Sequence, residues 1–588
     1  MDGSDQPTAK KSKTLASTTS VVVTSALATV LLLKWGWGCL TSADCQELAM
    51  AARLDGNSDE EIDIIASCGA YGQNPGSIHK NLMTKFCADM KCPKPRSIVI
   101  PFKESKDASR STNFTDVKMF LPSDWLTTLA NSTSLNVEYS SIFGLDRLGD
   151  FWSKQSLQNP KIKDHPMLKR KNYKEKAIPI FLHGDGAQYQ NNDTLTTVSF
   201  SGVLKEGDLL ETNLFLCSWA KSNAASGKES SWDTFWRWLV WDLNQLYFNQ
   251  WDDTDPWGNP LPEDVAERAG KPILHDDFFV VVWGVLGDND YFQNDLGCPH
   301  HACKEPKACC EKCNCTKAGE YRWFNWNGPW VGSLSERHEP QHPISKIIGW
   351  TPYHFMADWL HVVDLGVASH ACANILWDIV FNKMKQSTRQ EAVNSVSEFL
   401  MSAGVEQGSE LDGLELKHFC NPKKTHGEYP DMHFLKAAQI RGLVGKLAMY
   451  YEGFDHKNIA DRQKLKMIQS LAVVYEIMYS SDVILTKSEY KGFNKASMDF
   501  LNTYSWLSSK FKENSKFNIV PKFHYFFHLV EQAEYLNPKY SWCYQGEDLV
   551  GKASSLAHSC TRATSGHHVP SKMMEKYQVA KHLQFTRQ

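Results

Sequence analysis

Between residues 175 and 290 the sequence runs through three β-rich segments, one long amphipathic segment and a fourth, wholly apolar run. AIPIFLHGDG reads as a strand. TLTTVSFSGVL (194–204) is crowded with β-branched side chains, and ETNLFLCSWA (211–220) is a further short apolar run. Short turns join the three. SSWDTFWRWLVWDLNQLYFNQW then places Trp232, Phe235, Trp236, Leu239, Leu243, Leu246 and Tyr247 on one helical face, with Ser231 as the expected N-cap. DDFFVVVWGVLGDND, whose apolar run ends at Asp288, has the uninterrupted apolar character of a strand buried on both faces.

Strand, strand, strand, helix, strand is the opening order of an RNase-H-like fold, in which the first and fourth strands lie side by side. Here each of those two strands ends in an acid, Asp185 and Asp288. A carboxylate at the end of an apolar strand is costly to bury without a partner. Asp-Gly alone would read as a turn. Two such acids on neighbouring strands instead suggest a shared cleft, with the flanking glycines letting a substrate approach closely. A third acid usually arrives on a later helix, and Glu547 in YQGEDLVGKA is the best candidate. Carboxylates gathered in one place suit Mg²⁺ (or Mn²⁺), and two such ions can clamp a phosphodiester in line.

The chain has 588 residues with 42% hydrophobic and 22% charged, a globular composition. Twenty Trp favour aromatic-rich cores or binding surfaces. A net charge of −4 excludes a uniformly basic nucleic-acid binder, so any such binding must be local. The expected fold class is α/β: an RNase-H-like mixed sheet core, interrupted by a Cys-rich zinc module and a large helical insertion, after a mainly helical N-terminal region. The boundaries read as a polar leader with a short apolar segment (1–35), the helical N-terminal region (36–170) and the first part of the core (171–295). A Cys/His-rich module (296–350), the helical insertion (351–515) and a closing core segment (516–588) follow. SADCQELAMAARLDG reads as a helix with a glycine stop and DASRSTNFTD as a polar loop. VVVTSALATVLLL (21–33) has thirteen residues, short for a membrane span, so a buried helix is favoured over an anchor.

Six of the sixteen cysteines fall between Cys298 and Cys315, a clustering that suggests a metal site in a reducing compartment, nuclear or cytoplasmic. Cys310 and Cys313 form C-x-x-C, and His524 and His528 sit one helical turn apart in PKFHYFFHL. Together they make a Cys₂His₂ set for Zn²⁺, although Cys298, His300, His301, Cys303, Cys309 and Cys315 are alternative ligands.

In order along the chain, these motifs resemble the DDE/D transposases with an RNase-H-like core, especially the CACTA-class (En/Spm-like) and related families. The resemblance covers about residues 175–575. It implies Asp185, Asp288 and Glu547 as catalytic acids, with Asp290 and Asp548 as neighbouring rivals. It also implies a D-x-x-H pair, Asp358 and His361 in DWLH, that assists cofactor binding, with Asp364 as the rival acid. The implied activity is metal-dependent DNA strand cleavage and transfer. DNA would be the partner, at the ends of a mobile element, and a homo-oligomer is compatible with it. The alternative is a catalytically inactive, zinc-stabilised scaffold that binds nucleic acid or protein.

Overall fold

The computed structural model describes residues 20–57, 59–103, 112–132, 138–190, 193–206, 212–226, 230–299, 309–333, 342–402, 409–420, 428–561, 564 and 566–587. Among the described residues, seven strands form a hairpin of β1 (Arg96–Lys103) with β2 (Thr112–Met119) and one five-stranded mixed sheet. The sheet contains β3 (Ala177–Gln190), β4 (Asp193–Gly202), β5 (Leu214–Ala220), β6 (Phe279–Gly287) and β7 (Phe355–Ala357). Its order is β5-β4-β3-β6-β7. β3 pairs antiparallel with β4, and β4 with β5, whereas β3–β6 and β6–β7 are parallel. Every residue of β6 is buried, which accounts for its unbroken apolar sequence.

The helix between β5 and β6 spans Ser231–Phe248 and packs against β6. Its N-cap is Ser230, whose hydroxyl accepts from the Asp233 N–H at 3.0 Å. Ser231, the expected cap, is instead buried, donating to the Pro101 carbonyl and accepting from the Ala225 N–H. The N-terminal region is less purely helical than its sequence suggests, because it contains the β1–β2 hairpin. Residues 112–116 of the expected polar loop DASRSTNFTD belong to β2; its first residues lie outside those described. The buried contribution of β2 is confined to its last residues, Val117 and Met119, so its first half reads as loop.

Three buried clusters organise the chain. The largest encloses the sheet and is rich in indoles: Trp125, Trp152, Trp219, Trp236 and Trp283 are all fully buried. A second joins the cysteine segment to the helices Ala437–Glu452, Ile459–Ser480, Lys487–Lys510 and Lys522–Gln532. Their starts are marked in sequence: Asn458 caps the second, and Thr486 forms a capping box with Glu489 in the third. β7 links these two cores, with Phe355 and Met356 in the first and Ala357 in the second. The third cluster contains the apolar segment near the N-terminus. Its helix, Ala26–Gly36, buries Ala28, Leu31, Leu32 and Trp35 and packs on the Val569–Thr586 helix. Among the described residues no helix is long and apolar enough to cross a membrane.

The β3–β6 pairing depends on two glycines. Gly184 faces Gly287 in register, and a Cβ on Gly184 would fall inside the ring of the buried Tyr291. Gly184→Ala should therefore lower the unfolding free energy by ~1–3 kcal/mol, the usual cost of overpacking. An unchanged denaturation midpoint would show that the ring moves aside freely.

Candidate functional site

One residue beyond the Gly184–Gly287 pair stand Asp185 on β3 and Asp288 after β6, so parallel pairing sets the two acids side by side. Phe181, His183 and Asp185 alternate along one face of β3. The Tyr544–Cys560 helix packs against β3, and at Gly546 a Cβ would come within 2.6 Å of the His183 ring. The next residue on the helix is Glu547, whose carboxyl hydrogen-bonds that of Asp185.

The D-x-x-H pair joins this group from the segment after β7. Asp358 is fully buried and has both oxygens occupied. Its Oδ1 accepts from the N–H groups of Leu360 (3.0 Å) and Cys543 (2.8 Å), and its Oδ2 from the His361 N–H (3.0 Å). His361 Nδ1 lies 2.6 Å from the same Oδ2, and its Nε2 lies 3.7 Å from Glu547 Oε1. Because Cys543 caps the Tyr544–Cys560 helix, Asp358 ties the start of that helix to the turn carrying His361.

The environments of these acids divide them. Burial opposes ionisation of Asp358, but the His361 ring and two backbone N–H groups outweigh it and hold the carboxyl below its ordinary value. His361 is likewise penalised by burial, yet its hydrogen bond to Asp358 and the surrounding carboxylates raise it to about 9. Glu547 is raised to about 9, first by burial and then by its hydrogen bond to Asp185 and the charge of Asp185, with His361 opposing. Asp288 is raised by burial and by Asp185, against an N–H bond from Tyr291. At neutral pH Glu547 therefore keeps its proton. Glu547 Oε1 is closed to solvent and makes no hydrogen bond. The rivals lie in other settings. Asp290 is exposed and accepts from Lys221 and Asn294, each at 2.5 Å. Asp548 is exposed, beside Lys552. Asp364 is fully buried and bonded by the Tyr475 and Tyr544 hydroxyls.

The second constellation lies in the helical core. Cys310, Cys313, Cys315 and His524 are buried, and their ligand atoms all lie within 4.8 Å of one another. His524 Nε2 stands 3.4 Å from Cys313 Sγ and 3.5 Å from Cys315 Sγ. His528 Nε2 stands 3.5 Å from Cys310 Sγ and 3.1 Å from His524 Nε2. Bond lengths of ~2.3 Å to sulfur and ~2.05 Å to nitrogen in a tetrahedron give edges of roughly 3.3–3.8 Å, close to these separations. Both rings present Nε2 because Nδ1 is engaged: in His524 with the Trp323 carbonyl, in His528 with Glu531 Oε2, each at 2.7 Å. Such outer contacts orient metal-binding imidazoles. The Lys312 N–H donates to Cys310 Sγ at 3.4 Å, which turns the C-x-x-C segment so that both sulfurs point inward. This buried Cys₃His cluster can hold a zinc ion.

The expected set was Cys310, Cys313, His524 and His528. The tightest group has Cys315 where that set has His528, and His528 stands beside it as a fifth donor. Spacing alone could not rank Cys315, because only the fold shows its sulfur turned inward. Among the alternatives, His300, His301 and Cys303 lie outside the described residues, and Cys309 Sγ packs 3.3 Å from Cys315 Sγ. Compared with known proteins, the chain matches no family model and no curated protein.

Two expectations follow. Metal analysis of the purified chain should find about one zinc. Cys313→Ser and His524→Ala should each lose it and melt several degrees lower, since both side chains belong to either four-ligand set; retained zinc in both would refute the site. The second concerns Glu547 in the absence of divalent cations. Its folded pKa of about 9 exceeds the ordinary 4.5, so ionising it costs stability increasingly from pH 4.5 up to 9. Glu547→Gln should thus raise Tm, with a larger gain at pH 8 than at pH 5. A gain independent of pH would mean that the carboxyl ionises freely.

Proposed function

We propose that the chain is a metal-dependent polynucleotidyl transferase of transposon origin, cutting and joining DNA strands at Asp185, Asp288 and Glu547. The observation that carries this reading is the Asp185–Glu547 pair: two carboxyls in hydrogen-bond contact, one with a buried, unbonded oxygen, beside a third acid. Carboxylates held this close repel unless a proton or a cation lies between them. Mg²⁺ or Mn²⁺ held by these three would activate the attacking oxygen and stabilise the leaving one.

The sheet supports the same reading. The order β5-β4-β3-β6-β7, antiparallel through its first three strands and parallel through the last three, is how an RNase-H-like core arranges its five strands. The chain's own residues then divide the work. Asp358, with every hydrogen-bonding position filled, is a positioning residue rather than a metal ligand. It holds His361 cationic, and His361 directs Nε2 toward Glu547. That ring can steady Glu547 as it gives up its proton, or a negatively charged phosphate nearby. The zinc cluster keeps the Lys522–Gln532 helix in place, and this helix leads through a short connection to the one bearing Glu547.

The test is nicking of a supercoiled plasmid with Mn²⁺ or Mg²⁺. Wild type should nick, and Asp185→Asn or Glu547→Gln should reduce the rate at least 100-fold while zinc content is kept and Tm does not fall. His361→Ala should be impaired less. Absence of nicking by folded, zinc-loaded protein would favour the second reading, a zinc-stabilised scaffold without catalytic activity, for which the buried Cys₃His cluster is the supporting observation.

A further inference from the structure

Beside the acid cluster, on the same face of β3, lies a recess of about 330 Å³. Its floor is Phe181, His183, Val203 and Leu286, all under 8% exposed. Gln545 and Gly546 form one wall, immediately before Glu547, and Tyr540 and Trp542 form another. Three cations, Arg147, Lys205 and Lys539, line it against one carboxylate, Glu206, on a chain whose net charge is −4. We infer that this recess takes one unstacked nucleotide of a single DNA strand, next to the phosphate at the acid cluster. The inference rests on the proposed action on DNA and adds where, and in what form, the strand is held.

The geometry supports it in three ways. His183 and Asp185 are two residues apart on one strand, ~7 Å along it, so a nucleotide in the recess has its neighbour's phosphate at the carboxylates. Apolar and aromatic side chains together with cationic ones line the recess, which suits the two parts of a nucleotide, a base that stacks and a phosphate that needs charge. The polar wall is already ordered: Lys205 Nζ donates to Asn213 Oδ1 at 3.1 Å, and Asn213 Nδ2 donates to Gln545 Oε1 at 3.4 Å. Arg147 is held by an ion pair with Asp482 at 3.2 Å. The volume lies within the ~300–1,000 Å³ of small-molecule sites, and a base reaches such a floor only when splayed out of its stack.

Binding of a 5′-fluorescein (dT)₁₂, read by anisotropy without added magnesium or manganese, tests this. Wild type should bind it more tightly than a 12-base-pair duplex, and Lys205→Glu/Lys539→Glu should weaken (dT)₁₂ at least ten-fold without lowering Tm. A (dT)₁₂ carrying 5-iodouracil should photo-crosslink in the wild-type chain to the peptide holding Tyr540 and Trp542, a readout that needs no variant to fold. Crosslinks confined to other surfaces, equal affinity of the double variant, or no preference over duplex would each overturn the inference. Nicking is measured separately. Nicking without the crosslink removes the pocket and leaves the enzyme, whereas the crosslink without nicking removes the enzyme and leaves a single-strand pocket.

Discussion

Where β3 and β6 pair, Gly184 and Gly287 face one another, and the Tyr291 ring lies across both. A side chain on either would push the strands apart or displace the ring. Because neither has one, the strands stay in register to their ends, and the next residue on each is an acid. The helix bearing Glu547 then docks through a third glycine, Gly546, against His183. Three acids far apart in sequence are thus gathered by three close approaches of backbone and ring, a use of glycine that depends on space more than on backbone freedom.

Two buried carboxylates within this site show how environment sets chemistry. Asp358 receives three backbone N–H groups and an imidazole, and burial only sharpens those bonds, so it stays charged. Glu547 meets another carboxylate instead, and burial pushes its pKa up to about 9. The first is a structural fixture that locks a helix start to a turn. The second is held in a state that only a proton or a cation relieves. The cysteine cluster works at larger scale: donors more than two hundred residues apart meet in one buried point, which joins the cysteine segment to the Lys522–Gln532 helix.

Much of this was legible beforehand because it is local. The apolar run ending at Asp288 is β6, and the aromatic stripe from Trp232 to Tyr247 lies in a helix. Where reading failed, the signal was short or misleading. β7 is three residues long, too brief for any periodicity. The segment after Asp358 is π-helical over Leu360–Ala368, and a stretch buried on nearly every side cannot reveal its winding. The Val569–Thr586 helix is buried around much of its circumference, so its sequence lacks the stripe that marks a surface helix.

The sequence by itself determined four of the five strands of the central sheet and its helix, the acids that end two of those strands, and the C-x-x-C and H-x-x-x-H pairs, because each is written in neighbouring residues. Tertiary structure alone decided which of these meet. It set Cys315 beside Cys310, Cys313 and His524, gave Asp358 its bond to the Cys543 N–H across 185 residues, left Asp290 and Asp548 exposed, and gave Asp364 two tyrosine hydroxyls. Those outcomes rest on register, helix docking and the direction of individual side chains, and no local pattern encodes a distance between segments that meet only when the chain is folded.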